Sequence, residues 1–170
     1  FKGYHTSIAG SMTNLADFRE SQGEIDEAEE LFKKALEMRR FIYEGKHPEI
    51  ALSINNLAIY YLRLARYEEA YPLLNEALEI NRGLYNDNHP LLVNSLNNLG
   101  RYYEFTGNYK KAEELYTESL TIIQNIIKDY FPSLSEKEKR LFWKNLRSDF
   151  NKFNSFVLIR PFVNSVNGTA

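Results

Sequence analysis

HPEIALSINNLAIYY, residues His47–Tyr61, returns 42 residues later as HPLLVNSLNNLGRYY, His89–Tyr103, and a fainter copy, HTSIAGSMTNLADFR, occupies His5–Arg19. A fixed period of this size is what stacked helical hairpins leave in a sequence, because one hairpin cannot bury its apolar stripe without a neighbour of the same design. With Ser11, Ser53 and Ser95 aligned, residues 11–52 and 53–94 agree at 14 of 42 positions, and 53–94 and 95–136 agree at 15. Average residue usage would give about 2 or 3.

Each unit contains two helical stripes. Ile54, Leu57, Ala58 and Tyr61 recur on one face, as do Leu96, Leu99, Gly100 and Tyr103, which defines a helix A. After breaks at Gly23, Ala65 and Gly107, a helix B is expected to bury Ala28, Leu31, Ala35 and Leu36, with Ala70, Leu73, Ala77, Leu78 and Ala112, Leu115, Ser119, Leu120 as its later copies. Small residues at Ala16, Ala58 and Gly100, facing Ala28, Ala70 and Ala112, allow helix axes to approach to about 8–10 Å. Pro48 and Pro90 fit a first helical turn, where the missing N–H had no partner, and a helix-start role is read for His5, His47 and His89. Pro72 falls near the start of a helix B and costs one hydrogen bond to Glu68.

The chain has 170 residues, 44% of them hydrophobic and 14% aromatic, enough for one domain or a short repeat array. A formal charge of -2 gives no footprint for nucleic acid, and no apolar run approaches the ~18 residues that span a bilayer. There is no cysteine, hence neither a disulfide framework nor a thiol nucleophile, and a reducing, cytoplasmic setting is expected. Residues 1–5 align with 43–47, so the chain reads as opening inside a repeat of a longer protein. Three histidines one repeat apart are too widely separated for a shared metal, since ligands lie about 2 Å from zinc. The acidic runs at Glu27–Glu30 and Glu113–Glu114 suit the starts of exposed helices. No catalytic triad, phosphate loop or zinc spacing is present, so no cofactor and no enzymatic activity are expected of this segment.

The phrases SINNLAIYY…ARYEEAYPLLNEALEI and SLNNLGRYY…GNYKKAEELYTESLTI resemble tetratricopeptide (TPR) repeats of the 42-residue kind found in kinesin light chains, over roughly residues 5–132. The resemblance implies an all-α solenoid of about three hairpins, with units near 11–52, 53–94 and 95–132. Departures are Arg19 in place of Tyr61 and Tyr103, and Phe131–Pro132 in place of His–Pro.

In such arrays the A helices line a concave groove that holds a peptide or protein ligand. Opposite the packed stripe lie Thr13, Asn14, Asp17, Glu20 and Ser21, then Asn55, Asn56, Ile59, Leu62 and Arg63, then Asn94, Asn97, Asn98, Arg101, Glu104 and Phe105. Asn14, Asn56 and Asn98 share one register, and an amide can donate to and accept from an extended backbone. The resemblance gives these three that role; an interhelix structural hydrogen bond is the other reading. Ile59, Leu62, Arg101 and Phe105 differ between repeats and are expected to select side chains. Lys or Arg does not recur at the groove register, so a clamp for a terminal carboxylate is not expected.

Past Pro132 the period is lost. Ser135 and Glu138 make a capping-box signature before an apolar stripe of Phe142, Leu146, Phe150, Phe153 and Val157, which predicts an amphipathic helix within 133–160 that covers the end of the array, followed by a tail at 161–170. Lys137, Arg140, Lys144 and Arg147 form a basic stripe on it, either solvated or facing an acidic partner or RNA phosphate. The wording LSEKEKRLFWKNLRSDFNKFNSF resembles the linker before the CHAT domain, a caspase-like cysteine protease module of bacterial TPR proteins. The expectation is therefore a non-catalytic recognition or regulatory arm of a larger bacterial protein, a CHAT-type cysteine protease. The alternatives are a self-associating scaffold, or the N-terminal part of an enzyme whose catalytic domain lies further on.

Overall fold

The computed structural model describes residues 2–85 and 87–141. Along the described residues run α1 (Lys2–Ser21), α2 (Ile25–Ile42), α3 (Pro48–Arg63), α4 (Tyr67–Leu84), α5 (Pro90–Phe105) and α6 (Tyr109–Tyr130), then a 3-10 turn at Phe131–Ser133. The described residues contain no strand. The chain divides into two compact units, Phe1–Asp87 and Asn88–Ala170. In the first, α1 packs on α2, α3 on α4, and α2 also on α3; in the second, α5 packs on α6.

The hairpin turns explain the breaks in the apolar pattern. Gly23, Ala65 and Gly107 have φ of 80°, 55° and 76°. Beside each, the next residue's N–H reaches back five residues to a carbonyl: Glu24 to Arg19 at 3.0 Å, Arg66 to Tyr61 at 2.9 Å, Asn108 to Tyr103 at 2.8 Å. Such bonds close a helix end through a left-handed residue, a conformation that glycine adopts without a Cβ penalty. Ala65 bears that penalty. Ala65→Gly is expected to stabilise the chain by about 0.5–1 kcal/mol, the relief of strain exceeding the added freedom of the unfolded chain, as read by the urea midpoint.

The HP pairs have an equally local cause. His47 and His89 precede α3 and α5 in extended conformation, and each Nδ1 accepts the N–H two residues on, Glu49 or Leu91, both at 3.2 Å. Proline then occupies the first helical position, as expected. The backbone at His5 lies within α1.

The A-helix stripe packs as expected, with Ile54, Leu57, Ala58, Tyr61, Leu96 and Leu99 buried. On the B helices Ala28, Ala35, Leu36, Ala70, Ala77, Leu78, Ala112 and Ser119 are buried as expected, but one position of the stripe moves on by a residue. Phe32, Leu74 and Tyr116 are in the core, whereas Leu31, Leu73 and Leu115 are half-buried. The spacing Ala28, Phe32, Ala35, Leu36, Arg39 keeps the i, i+4, i+7, i+8, i+11 rhythm of one helical face. Pro72 sits exposed within α4, which continues past it.

Close approach of the two helices fixes residue size inside the hairpins. In the second unit a Cβ on Gly100 would lie 2.7 Å from Cε1 of Tyr116, and Ala112 and Tyr116 form a buried cluster with Tyr103 and Tyr109 against it. The same two positions in α3 and α4 are Ala58 and Leu74, both fully buried. Between these two hairpins the larger residue on helix A accompanies the smaller one on helix B; in the first hairpin Ala16 accompanies Phe32.

Where Phe131–Pro132 replaces His–Pro, no histidine cap forms and α6 runs to 22 residues before the 3-10 turn. The capping box forms: Ser135 N donates to Glu138 Oε2 at 2.8 Å, and Glu138 N to Ser135 Oγ at 3.4 Å, with 136–141 helical behind it. The expected apolar stripe from Phe142 to Val157, the basic residues Lys144 and Arg147, and the tail lie outside the described residues.

Candidate functional site

In the first unit, α1 and α3 bring their opposite-to-core faces together at one end through Arg63. Its Nε donates to Glu20 Oε1 at 2.7 Å, its Nη2 to Glu20 Oε2, and Asp17 Oδ1 lies 3.7 Å away. One and two turns before Arg63 on α3 are Ile59 and Asn56, both half-buried, and on α1 Asn14 is exposed one turn before Asp17. These residues form a reachable surface whose single cation is matched by two carboxylates. The bridge spans 43 positions, one more than the repeat period, which is why a comparison of equivalent residues does not find it.

Other residues expected on this surface are enclosed. Leu62 is 3% exposed and Asn55 is buried, so neither presents its side chain to a ligand. The physical reason is that α3 packs on α2 as well as α4, and two contact stripes leave a narrower free face than one. Asn55 is not a free amide either.

In the second unit, α5 leaves Asn94 and Phe105 exposed and Arg101 half-buried, with the Arg101 guanidinium 5.6 Å from the Phe105 ring centroid. Asn97 and Asn98 are buried and neither is free. Glu104 accepts from the Tyr116 hydroxyl at 2.9 Å, and burial pushes that phenol's pKa up. The register of Asn14, Asn56 and Asn98 is thus exposed, half-buried and buried in turn.

Sequence reasoning did not find the strongest polar cluster, which joins α2, α3 and α4. Glu29 accepts from Arg66 Nη1 at 2.5 Å and from the Tyr61 hydroxyl at 2.9 Å, and its Oε1 lies 2.6 Å from Lys33 Nζ. Arg66 also stacks over Tyr61 at 4.5 Å and pairs with Glu69 at 2.8 Å. The Arg66 hydrogen bond leads in holding the Glu29 carboxyl down at about 2. Nearby, the buried Tyr60 hydroxyl donates to the Ile25 carbonyl at 2.7 Å, and desolvation raises its pKa to about 12. In the first hairpin Arg19 stands where Tyr61 would, and pairs instead with Glu24 at 2.5 Å. Every charge in the cluster meets an opposite charge from the same hairpin or the next, which marks it as a structural joint.

A family model for the tetratricopeptide repeat matches residues 7–70 and 53–125. The chain belongs to this family. Solved structures with the same fold include BtubC (BKLC) from P. vanneervenii, at 22% identity and a TM-score of 0.65, covering 96% of this chain and 65% of that one. A kinesin-light-chain-like protein of nearly identical TPR-like repeats from Podosopora anserina gives 21% identity and 0.64, covering 92% and 76%. The second TPR of Spaghetti (RPAP3), bound to the HSP90 peptide SRMEEVD, gives 20% and 0.51, covering 71% and 91%. Comparison with curated proteins by sequence finds no match. The chain spans 65% of the length of BtubC. No helix among the described residues is long and apolar enough to cross a membrane.

Proposed function

We propose that the chain is a non-catalytic protein-binding TPR module that takes an extended peptide along the A helices, with Asn14 and Asn56 meeting the peptide backbone. The observation that carries this reading is that these two amides, at one register on neighbouring A helices, stay reachable beside a charge-matched Asp17, Glu20 and Arg63 group. Arg63 is already committed to two carboxylates, so an internal or uncharged segment suits the surface better than a chain-terminal carboxylate. On α5, Asn94, Arg101 and Phe105 offer further contacts; Asn98 serves the fold more than a ligand, since its amide is buried.

Selection of peptides from a displayed random library, followed by titration calorimetry, tests the proposal. Asn56→Ala is expected to weaken the selected peptides by about 1–2 kcal/mol with helicity unchanged, the scale of one lost interfacial hydrogen bond. Undiminished affinity in Asn14→Ala and Asn56→Ala alike places the site elsewhere.

The wider setting is also part of the proposal. The resemblance of the segment from Leu134 to CHAT-associated linkers supports a recognition arm of a larger cytoplasmic bacterial protein carrying a caspase-like protease. A Cys–His protease domain encoded after Ala170 supports that assignment; any other domain there removes it.

A further inference from the structure

The two hairpins of the first unit meet along one line and are tied at two margins. The line is the contact of α2 with α3. Towards one end of it Tyr60 of α3 lies 5.2 Å from Phe32 of α2 and donates its hydroxyl to the Ile25 carbonyl. Towards the other end the buried Arg39 of α2 donates to the Ser53 hydroxyl of α3. Groups enclosed in this way are screened little by salt.

The margins are of another kind. On the A-helix side, α1 and α3 are joined by Arg63, which grips Glu20 through Nε and Nη2 and has Asp17 Oδ1 3.7 Å away. On the B-helix side, α2 and α4 are joined by Arg40, whose Nη2 lies 2.6 Å from Glu76 Oε1. Both guanidinium groups are reached by solvent, so both ties weaken as salt is added. The Arg63 tie is the stronger, with two bonds to one carboxylate and a second carboxylate beside it. A contact line with a charged tie on either side is a lever: what draws the A helices together parts the B helices.

We infer that the α2–α3 contact is the axis of a hinge whose angle is set by the opposed Arg63 and Arg40 ties, and that this angle fixes the spacing of α1 and α3 that Asn14 and Asn56 span. Its bearing on ligands rests on the peptide-binding reading above. Ionic strength then regulates the surface. Added salt weakens both ties, the stronger one loses more, and the A helices move apart. A peptide that reaches both amides is released even when it carries no charge of its own.

The hinge is tested without a ligand. The chain has no cysteine, so spin labels at Ser11→Cys and Leu52→Cys, both exposed, report the distance between α1 and α3 by double electron–electron resonance. Between about 0.1 and 1 M sodium chloride, where the screening length falls from ~10 to ~3 Å, that distance is expected to grow by about 1–2 Å, the scale of helix shifts at packed interfaces. Arg63→Met should lengthen it already at low salt, and added salt should lengthen it no further. Arg40→Met should shorten it. Circular dichroism confirms that each variant folds. The opposite signs separate a hinge from general loosening, which lengthens the distance in both variants. A shift of the same sign in both, or a wild-type distance that ignores salt, overturns the inference. For a peptide selected at low salt, Arg40→Met, across the axis from both amides, should weaken binding by about threefold as the competent spacing becomes a minority state. Unchanged affinity beside a shortened distance overturns the hinge's control of the site. Distances that shift as expected while no peptide is selected uphold the hinge and remove the peptide-binding reading instead.

Discussion

Gly100→Ala is expected to lower the stability of the chain by about 1–3 kcal/mol, the usual cost of forcing extra volume into a packed core. The new methyl would sit 2.7 Å from the Tyr116 ring, which is almost fully enclosed and holds its hydroxyl on Glu104 at 2.9 Å, so it cannot swing aside freely. The informative variant is the double one. Gly100→Ala with Tyr116→Leu imports the pair that the second hairpin uses, Ala58 with Leu74, and should recover most of the loss although Tyr116→Leu alone opens a cavity. Urea denaturation of the four proteins gives the coupling directly. Additive losses would mean that the two sites are not matched for size.

The second large effect is centred on Glu29. Glu29→Ala leaves Arg66, Lys33 and the Tyr61 hydroxyl without their shared acceptor, and should cost about 2 kcal/mol at pH 7, since hydrogen bonds to charged groups exceed neutral ones and part of the cluster is reached by solvent. The sign with pH follows from the depressed carboxyl pKa. Because the folded value, about 2, is below the ordinary value of 4.5, the contribution is full above pH 4.5 and is lost as pH falls through about 2. The gap between wild type and Glu29→Ala should therefore narrow below pH 4.5. A gap that is constant from pH 7 to pH 3 would assign the loss to packing instead. Tyr61→Phe removes one donor and should show a smaller version of the same dependence.

Much of the architecture was readable as text because its determinants are local. Left-handed turns at Gly23, Ala65 and Gly107, proline in a first helical turn and the capping box at Ser135 each depend on a few adjacent residues. What escaped was set by neighbours that a single stripe does not reveal. Period alone cannot say whether Leu31 or Phe32 faces inward, and the second hairpin shows that an A helix touches two partners, which is why Asn55 and Leu62 are enclosed instead of lining a surface. The same cause hid the Glu29 cluster, whose members come from three helices. For the site, reading equivalent positions found the amide register but not its gradient of exposure from Asn14 to Asn98.

The histidine caps give the linkers a sensitivity that the helices lack. Each imidazole acts through a lone pair on Nδ1, which assigns the ring hydrogen to Nε2, and a protonated ring has no lone pair to offer. Burial lowers the His89 pKa, so its folded form resists protonation; the stability it lends is present above about 6.5 and drains away as the medium acidifies through the lowered value. Acid thus acts on the connection entering α5, while the bonds of the αL turns inside each hairpin are made by the main chain alone. Acidification would weaken the start of α5 before it reaches the turns inside the hairpins.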